Sequence, residues 1–408
     1  MKQKIEKNIS RIVKDEVLKH IVQFGSFTIP DIVENTGISA TTIAKYVNEL
    51  QEDRILIVQD TIKTERRGRR PILYGMRPDA NYFVGVDINM SSLTLGLMDI
   101  SGKMLRISND DSFRFANSYN KFEDICMSVE KFIQESGCEI SSICFSIGGR
   151  VNTVKGTCAS HFNFEEHGDT PLADVLSQCF GCKVFIENDT KAITYGEYMS
   201  LKDNSIQNFL YVNIGWGLGL GVIIDGKQLT GANGYAGEFG HMPFYDNDVI
   251  CHCGKKGCIE TEASGSAINR KLVQHIMNGE QSMLSERVLK GNQLTIQEIL
   301  YAAEKEDPLC IDLISQTGTE LGRHLAGMIS LFNPDTIMIG GTLSKAAAYY
   351  FLHPLSASVR KYSLKLLSRD VSIMTSKLGD NAGIIGACFV ARSRVFMDII
   401  SGQGSALF

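Results

Sequence analysis

The sequence of 408 residues lacks the features that define membrane and secreted proteins. No apolar run is long enough to span a bilayer, which excludes a membrane-spanning helix and makes a membrane partner unexpected. The first 16 residues are charged and have no apolar core, so they do not resemble a signal peptide. We therefore expect a cytoplasmic protein.

A single tryptophan and eleven cysteines are the unusual counts in an otherwise ordinary globular composition. Disulfides are not expected in a chain that stays in the cytoplasm, so most of the cysteines should be small buried side chains. Cysteines that cluster in the sequence are instead candidates for metal ligands.

The net charge of −5 is unevenly distributed along the chain. Residues 1–78 contain 14 lysines and arginines against 10 aspartates and glutamates, whereas the remainder carries a net charge of −9. A basic N-terminal segment on an acidic body is typical of a nucleic-acid-binding domain joined to a domain with another task.

The first segment has the pattern of three helices. Apolar residues recur at helical spacing over residues 13–22, and Pro30 begins a short second helix. Gly37 suits the tight turn that follows, and Ser39 is a good N-cap for a third helix with the sequence ATTIAKYVNEL. This order of helices around a glycine turn indicates a helix-turn-helix.

Two strands with a basic connection follow the third helix. Residues 55–58 and 72–74 have the residue types of strands, and four arginines lie between them. A hairpin in this position is a wing, which predicts a winged helix-turn-helix over residues 1–78; a basic interdomain linker is the alternative. The residues expected to contact DNA bases or phosphates are Ser39, Thr41, Thr42 and Lys45 of the third helix and Arg66, Arg67, Arg69 and Arg70 of the wing.

From Tyr82 onward, short buried strands alternate with helical stretches. The strands include FVGVDI, LTLGLMDI, SICFSIGG, FLYVNIG and TIMIGG. The final segment, AGIIGACFVARSRVFMDII, has the pattern of a long amphipathic helix. This alternation predicts an α/β domain with mixed sheets.

The order of several motifs in the α/β part resembles the ROK family of repressors, open reading frames and sugar kinases. GVDINMSSLTLGLMDISG is similar to the family's first phosphate hairpin, and Glu187-Asn188-Asp189 and GYAGEFGHM follow in family order. CHCGKKGCIETEAS resembles the family's zinc signature, and NPDTIMIGGTLS and LGDNAGIIGA resemble its later segments. The N-terminal segment resembles only the repressor branch, of the N-acetylglucosamine and xylose type.

The resemblance implies a two-lobed actin/hexokinase-like fold behind the winged helix-turn-helix. It places a small α/β lobe at residues 79–195, completed by a C-terminal helix at 384–408. It places a large α/β lobe, with the zinc site, at residues 196–383. It also implies a homodimer or a homotetramer.

The cysteine cluster is the strongest candidate for a metal site. Cys251, Cys253 and Cys258 lie within one short segment, and His241 lies ten residues before the first of them. Three thiolates and one imidazole form the closed tetrahedral set that is typical of structural zinc, so we expect a structural Zn²⁺. A chance cluster of reduced cysteines is the alternative.

One histidine within the cysteine motif and one further pair of cysteines are not expected to bind a metal. His252 stands between two of the cysteines and is expected to point away from them. Cys179 and Cys182 have no second pair of ligands, so ordinary packing at a helix–strand corner is expected for them.

The family resemblance also implies a sugar site. Sugars require several donors and acceptors at fixed positions, because each hydroxyl left unpaired on burial costs free energy. In the kinases of the family, the residue that matches Asp189 is the general base, a role that is vestigial here without kinase activity. If His241 binds zinc through one nitrogen, its other nitrogen is available to a sugar hydroxyl. The residues expected to bind the sugar are Asn163, Asn188, Asp189, Glu238, His241 and Glu260.

The phosphate loops depart from the kinase pattern at two places. Asp87 is present, but Asn89-Met90-Ser91 replaces the Gly-Gly-Thr of the kinases, and Met90 is expected to obstruct the approach of phosphate. Trp216 occupies the position of a threonine in the second loop. Because phosphoryl transfer depends on positioning and charge neutralisation, we do not expect efficient catalysis with ATP.

Together these features predict a DNA-binding transcriptional regulator whose effector is a sugar or a sugar phosphate. The family resemblance favours a repressor of carbohydrate-utilisation genes that dissociates from operator DNA when it binds the sugar. An active ATP-dependent sugar kinase with an added DNA-binding head is the first alternative, which an ATP assay would reveal. The second alternative is a scaffold protein with a vestigial sugar pocket. The retained set of polar sugar-site residues argues against this alternative.

Overall fold

The computed structural model describes most of the chain. The described residues are 9, 12–18, 20–21, 25–52, 56–61, 71–79, 81–89, 92–110, 113, 121–158, 170–203, 205–346 and 349–401. They form two compact units, residues 1–202 with 381–408 and residues 203–380. The lobe boundaries expected from the sequence remain a prediction.

Within the described residues, the N-terminal domain contains three helices and a small antiparallel sheet. Its elements are α1 (helical residues 12–18 and 20–21), β1 (Ser26–Phe27), α2 (Ile29–Thr36), α3 (Ala40–Glu52), β2 (Leu56–Thr61) and β3 (Ile72–Met76). The strand order is β1-β3-β2, and Thr61 is the register partner of Ile72. The described strands extend beyond the residues expected from the sequence, which had not indicated β1.

Local side chains explain where the helices of this domain begin and end. Thr28 and Asp31 form a capping box at the start of α2, with Pro30 in its first turn. Gly37 ends α2 in the left-handed region at φ 66°. The Ser39 side chain accepts a hydrogen bond from the Thr42 backbone N–H at 3.3 Å, as expected of the N-cap of α3.

The first lobe is built on a mixed five-stranded sheet. Its elements are β4 (Tyr82–Ile88), β5 (Leu93–Asp99), β6 (Met104–Asp110), α4 (Lys121–Ser136), β7 (Ile140–Ile147), β8 (Val151–Asn152), β9 (Thr157–Cys158), α5 (Leu172–Phe180), β10 (Lys183–Asn188) and α6 (Asp189–Leu201). The strand order is β10-β7-β4-β5-β6, in which β10, β7 and β4 are parallel and the β4-β5 and β5-β6 pairs are antiparallel. The carboxyl ends of β4, β7 and β10 therefore share one edge.

The second unit has its own five-stranded sheet with the same pattern of strand directions. Its elements are β11 (Phe209–Ile214), β12 (Leu218–Ile224), β13 (Lys227–Gln228), α7 (Gly265–Met277), α8 (Ser285–Leu289), α9 (Ile296–Glu304), α10 (Pro308–Phe332), β14 (Thr336–Gly340), α11 (Leu352–Tyr362), α12 (Lys365–Ser368) and β15 (Ser372–Thr375). The order is β13-β12-β11-β14-β15. Two short 3₁₀ helices, Phe239–His241 and Ile259–Thr261, carry candidate site residues.

The final helix, α13 (Ala382–Ser401), packs against the sheet and α6 of the first lobe. The approach of the two helices is close, because a Cβ atom on Gly386 would lie 2.0 Å from the Ala192 carbonyl oxygen. The expected α/β architecture with mixed sheets is confirmed. None of the described helices has both the length and the apolar character that crossing a bilayer requires.

Candidate functional site

The cysteine loop of the second unit gathers four potential metal ligands. The ligand atoms of His241, Cys251, Cys253 and Cys258 all lie within 4.8 Å of one another. The Cys251 Sγ is 3.6 Å from His241 Nδ1, and the Cys253 and Cys258 sulfurs are also 3.6 Å apart. This cluster is able to bind a metal ion.

The two 3.6 Å separations are close to those between the ligand atoms of a tetrahedral zinc ion. A tetrahedral ion with Zn–S bonds of about 2.3 Å and Zn–N bonds of about 2.0–2.1 Å separates its ligand atoms by roughly 3.6–3.8 Å. The loop reaches this geometry through short-range bonds, including one from the Cys251 N–H to the Lys255 carbonyl at 2.8 Å. Gly254, at φ 86°, supplies the left-handed turn between them.

His241 presents its two ring nitrogens to different neighbours. Its Nδ1 faces the Cys251 sulfur, whereas its Nε2 lies 3.8 Å from the Glu238 carboxylate. Both residues belong to one local turn, because the His241 backbone N–H donates to the Glu238 carbonyl oxygen at 3.1 Å. One nitrogen is therefore placed for a metal and the other for a polar neighbour.

The structure places His252 differently from the sequence-based expectation. Its Nδ1 lies 2.7 Å from Glu260 Oε1, and its ring centroid is 4.9 Å from that of His241. The reason is that Glu260, in the 3₁₀ helix that follows Cys258, lies beside the cysteine loop. Although His252 remains largely exposed, it is a second imidazole at the edge of the cluster.

Glu260 connects the cysteine loop to the glycine-rich β11–β12 hairpin. It is buried, and its Oε2 accepts a hydrogen bond from the Leu218 backbone N–H at 2.9 Å. Gly217 leaves room for this carboxylate, because a Cβ atom there would lie 2.8 Å from Oε2. In the same hairpin, the Trp216 side chain is half exposed.

In the first lobe, Asn188 and Asp189 lie where β10 ends and α6 begins. The Asn188 side chain caps α6 by accepting from the Lys191 N–H at 3.1 Å and donates to the Gly149 carbonyl at 2.9 Å. Asp189 Oδ1 accepts from the Thr190 N–H at 2.7 Å and from the Asn188 amide at 2.9 Å. Both polar groups are thereby held at the carboxyl edge of the sheet.

Asp87, at the end of β4, is a carboxyl group whose charge contributes to raising the pKa of Asp189. Its Oδ1 accepts from the Ser146 hydroxyl at 2.7 Å, and its Oδ2 accepts from the Asn89 amide at 3.1 Å. Burial raises the pKa of Asp87 above its ordinary value. Sequence reasoning missed the Ser146 contact, which joins β4 to β7.

The pKa of Asp189 is raised to about 6, chiefly by burial, with a further contribution from the Asp87 charge. The surrounding protein desolvates the carboxylate even though its side chain retains some exposure. Hydrogen bonds from Thr190 and Asn188 act in the opposite direction. A carboxyl group with this pKa changes its charge near neutral pH.

We expect Asp189→Asn to stabilise the ligand-free protein by about 1–3 kcal/mol at pH 7.5, because one pKa unit corresponds to about 1.36 kcal/mol. Burial of the ionised Asp189 carboxylate destabilises the folded state, and this effect is fully present above the folded pKa of about 6. The effect disappears as the pH falls toward the ordinary pKa of 3.8, because the carboxyl group is then protonated. The gain should therefore be lost near pH 4. Denaturant unfolding at both pH values measures it, with Asp124→Asn on exposed α4 as the control. A destabilised variant with no pH dependence would contradict this account.

The third helix of the N-terminal domain carries the residues expected to contact DNA. Ser39, Thr41 and Lys45 are exposed and Thr42 is half-buried. The Ser39 and Thr42 hydroxyls are 2.8 Å apart, so these residues form one polar patch at the start of α3. Several predicted residues lie outside the described part of the chain: Met90, Asn163, Arg66, Arg67, Arg69 and Arg70.

Two lobes, each with a mixed five-stranded sheet of the same strand pattern, define an actin/hexokinase-like protein, here preceded by a small helical domain. The ROK family matches residues 83–394, and the chain belongs to that family. The family and fold expected from the sequence are confirmed.

Three comparisons distinguish the branches of the family. The chain is 28% identical to the DNA-binding transcriptional repressor Mlc of Escherichia coli (strain K12) over 377 residues, 92% of this chain and 91% of Mlc. It is 29% identical to a glucokinase of Thermotoga maritima over 314 residues, which cover 76% of this chain and 98% of that enzyme. A crystal structure of a ROK family transcriptional regulator, a homologue of Mlc, matches 97% of this chain and 98% of its own with a TM-score of 0.78 at 26% identity.

Proposed function

We propose that this protein is a sugar-responsive transcriptional regulator, specifically a repressor of carbohydrate-utilisation genes that a sugar or sugar phosphate releases from DNA. One observation carries the proposal: the chain joins a helical N-terminal domain, whose third helix begins with an exposed polar patch, to a ROK domain at residues 83–394. The regulator relatives align with both parts, whereas the glucokinase aligns with about three quarters of the chain.

The proposal assigns DNA binding to the N-terminal domain as a winged helix-turn-helix. Helix α3 would enter the major groove with the polar patch at Ser39 and Thr42 near the bases. The wing is the connection between Thr61 and Ile72, whose four arginines supply positive charge for phosphates or the minor groove. A homodimer or homotetramer would present such domains in pairs to a two-fold operator.

The proposal assigns sugar-hydroxyl contacts to the predicted polar residues. Glu260 and Asp189 are carboxylates held by backbone N–H donors, and this support fixes their orientation. Fixed, desolvated acceptors suit sugar hydroxyls, because a hydroxyl buried without a partner loses its hydrogen bonds to water. Asn188, Glu238, His241 and Asn163 complete the proposed set.

The metal is proposed to be a structural zinc held by His241, Cys251, Cys253 and Cys258. The ion would stabilise the loop between residues 241 and 258 and thereby position Glu260, two residues beyond the last ligand. With four protein ligands there is no open position for a substrate, which fits a structural rather than a hydrolytic role.

A sugar kinase is the second candidate, because the glucokinase relative aligns along nearly its whole length. Trp216 in the second glycine loop and Met90 in the first argue against it. Bulky side chains at these positions oppose the close approach of phosphate to backbone amides, on which phosphoryl transfer depends.

A thermal-shift screen of monosaccharides and their phosphates identifies the effector, since a ligand selective for the folded state raises the melting temperature.

In operator titrations, we expect Glu260→Gln to weaken binding of that sugar by about 10–100-fold, because a hydrogen bond to a charged group contributes about 1.5–3 kcal/mol. The variant should then hold the operator at sugar concentrations that release the wild type.

Glu286→Gln, which alters an exposed ion pair of α8, is the matched control. Zinc content is measured in each sample, because Glu260 lies 3.6 Å from the Cys251 sulfur. Operator release by Glu260→Gln at wild-type sugar concentrations would contradict the sugar site. ADP production at ordinary enzyme rates, measured in the same samples with ATP present, would identify a kinase instead.

A further inference from the structure

Arg392 of α13 is a buried arginine that contacts two distant segments of the chain. It is 1% exposed, and burial lowers the pKa of its guanidinium to about 10, which leaves it protonated at pH 7. Its Nε donates to the Ile100 carbonyl oxygen at 2.7 Å, and an Nη donates to the Ile21 carbonyl oxygen at 2.9 Å. A buried charge requires such partners, because its desolvation is otherwise very costly.

The two acceptors lie in different parts of the first compact unit. Ile21 is the last described residue of α1 in the N-terminal domain, whereas Ile100 lies in the turn between β5 and β6 of the first lobe. Both residues are fully buried. The same turn approaches the chain at Gly25, because a Cβ atom there would lie 3.5 Å from the Ser101 carbonyl oxygen.

The neighbours of Arg392 on α13 are themselves bonded to the first lobe. The Ala391 carbonyl accepts from the Ser142 hydroxyl of β7 at 3.1 Å, and the Ser393 hydroxyl accepts from the Tyr195 hydroxyl of α6 at 2.7 Å. Helix α13 is therefore a fixed part of the lobe at this point. The Arg392 guanidinium reaches from that fixed position to Ile21 of α1.

We propose that Arg392 is a positioning residue that docks the DNA-binding domain on the first lobe. The connection between β3 and β4 spans only residues 77–81, so the chain also enters the lobe close to this joint. A domain held in one orientation loses less freedom on binding DNA than one that pivots on a connection. The role in DNA binding rests on the proposed function, whereas the docking itself does not.

Hydrogen exchange of the full-length protein tests the docking without sugar or DNA. In Arg392→Met, peptides covering residues 12–21 and the 99–103 turn should exchange at least about tenfold faster than in the wild type, because hydrogen bonds to a charged group are lost. Peptides of β11 in the second unit should be unchanged. Arg106→Met on β6 is the matched control, since Arg106 is an exposed arginine of the same sheet that pairs with Glu135.

Arg392→Lys keeps a positive charge but lacks the planar guanidinium. Hydrogen exchange of the same two peptides in this variant should therefore be faster than in the wild type and slower than in Arg392→Met. This variant also carries the test if Arg392→Met does not fold. Wild-type exchange over residues 12–21 in the folded variants would overturn the docking, and so would faster exchange confined to the 99–103 turn.

The consequence for DNA is measured on the duplex that the wild type selects from random-sequence DNA. Arg392→Met should bind this duplex about tenfold more weakly or worse, whereas Arg106→Met should bind it as the wild type does. Equal affinity in both variants would overturn the positioning role. Failure of the wild type to select any duplex would instead contradict the proposed function, and the exchange result would still decide the docking.

Discussion

The Cys253→Ser variant is expected to lose its stoichiometric zinc, and its free energy of unfolding should fall by more than about 4 kcal/mol. The ligand atoms meet only in the folded loop, so the free energy of metal binding is also free energy of folding. Between Pro243 and Cys258 the loop is held by isolated bridges and turns rather than by a regular ladder. Elemental analysis and denaturant unfolding measure the two effects.

Cys179→Ser is the matched control, because Cys179 is an exposed cysteine at the end of α5 outside the cluster. It should retain one zinc per chain and the stability of the wild type. A Cys253→Ser protein with full zinc content would show that Cys253 is not a ligand. Freshly purified wild-type protein without stoichiometric metal would contradict the zinc site as a whole.

Replacement of Arg66, Arg67, Arg69 and Arg70 by alanine is expected to lower operator affinity by up to about a thousandfold at 0.15 M salt. Each phosphate contact contributes about 0.9 to the slope of log affinity against log salt concentration, so the slope should become shallower by up to about 3.6. Titrations of one operator duplex at several salt concentrations measure both quantities.

Replacement of the same four arginines by lysine distinguishes the contribution of their positive charge from that of the shape of the guanidinium. Lysines preserve contacts to phosphates but not the insertion of a planar guanidinium into a narrow minor groove. If the wing contacts only the DNA backbone, the lysine variant should retain the wild-type salt slope. An alanine variant with unchanged affinity and slope would contradict the assignment of the wing.

The sequence by itself determined the features whose causes are local. The caps of α2 and α3 lie within four residues of the groups they bond, so Pro30, Gly37 and Ser39 were interpretable without a structure. The four potential metal ligands lie within residues 241–258, and their spacing was sufficient to predict that they meet. The expectation that His252 points away from the cysteines was wrong, because its Nδ1 lies 3.9 Å from the Cys251 sulfur. Spacing alone does not show that Glu260 holds the ring in this position.

The tertiary structure alone decided the contacts between segments far apart in the chain. Ser146 bonds Asp87 across 59 residues, and the pKa of Asp189 depends on burial by surroundings that no motif describes. The pattern of α13 indicated an amphipathic helix but not a buried arginine bonded to Ile21, 371 residues away. Periodicity and capping report the interactions of near neighbours, whereas the partner of a buried charge is set by which distant carbonyl the packing brings within reach.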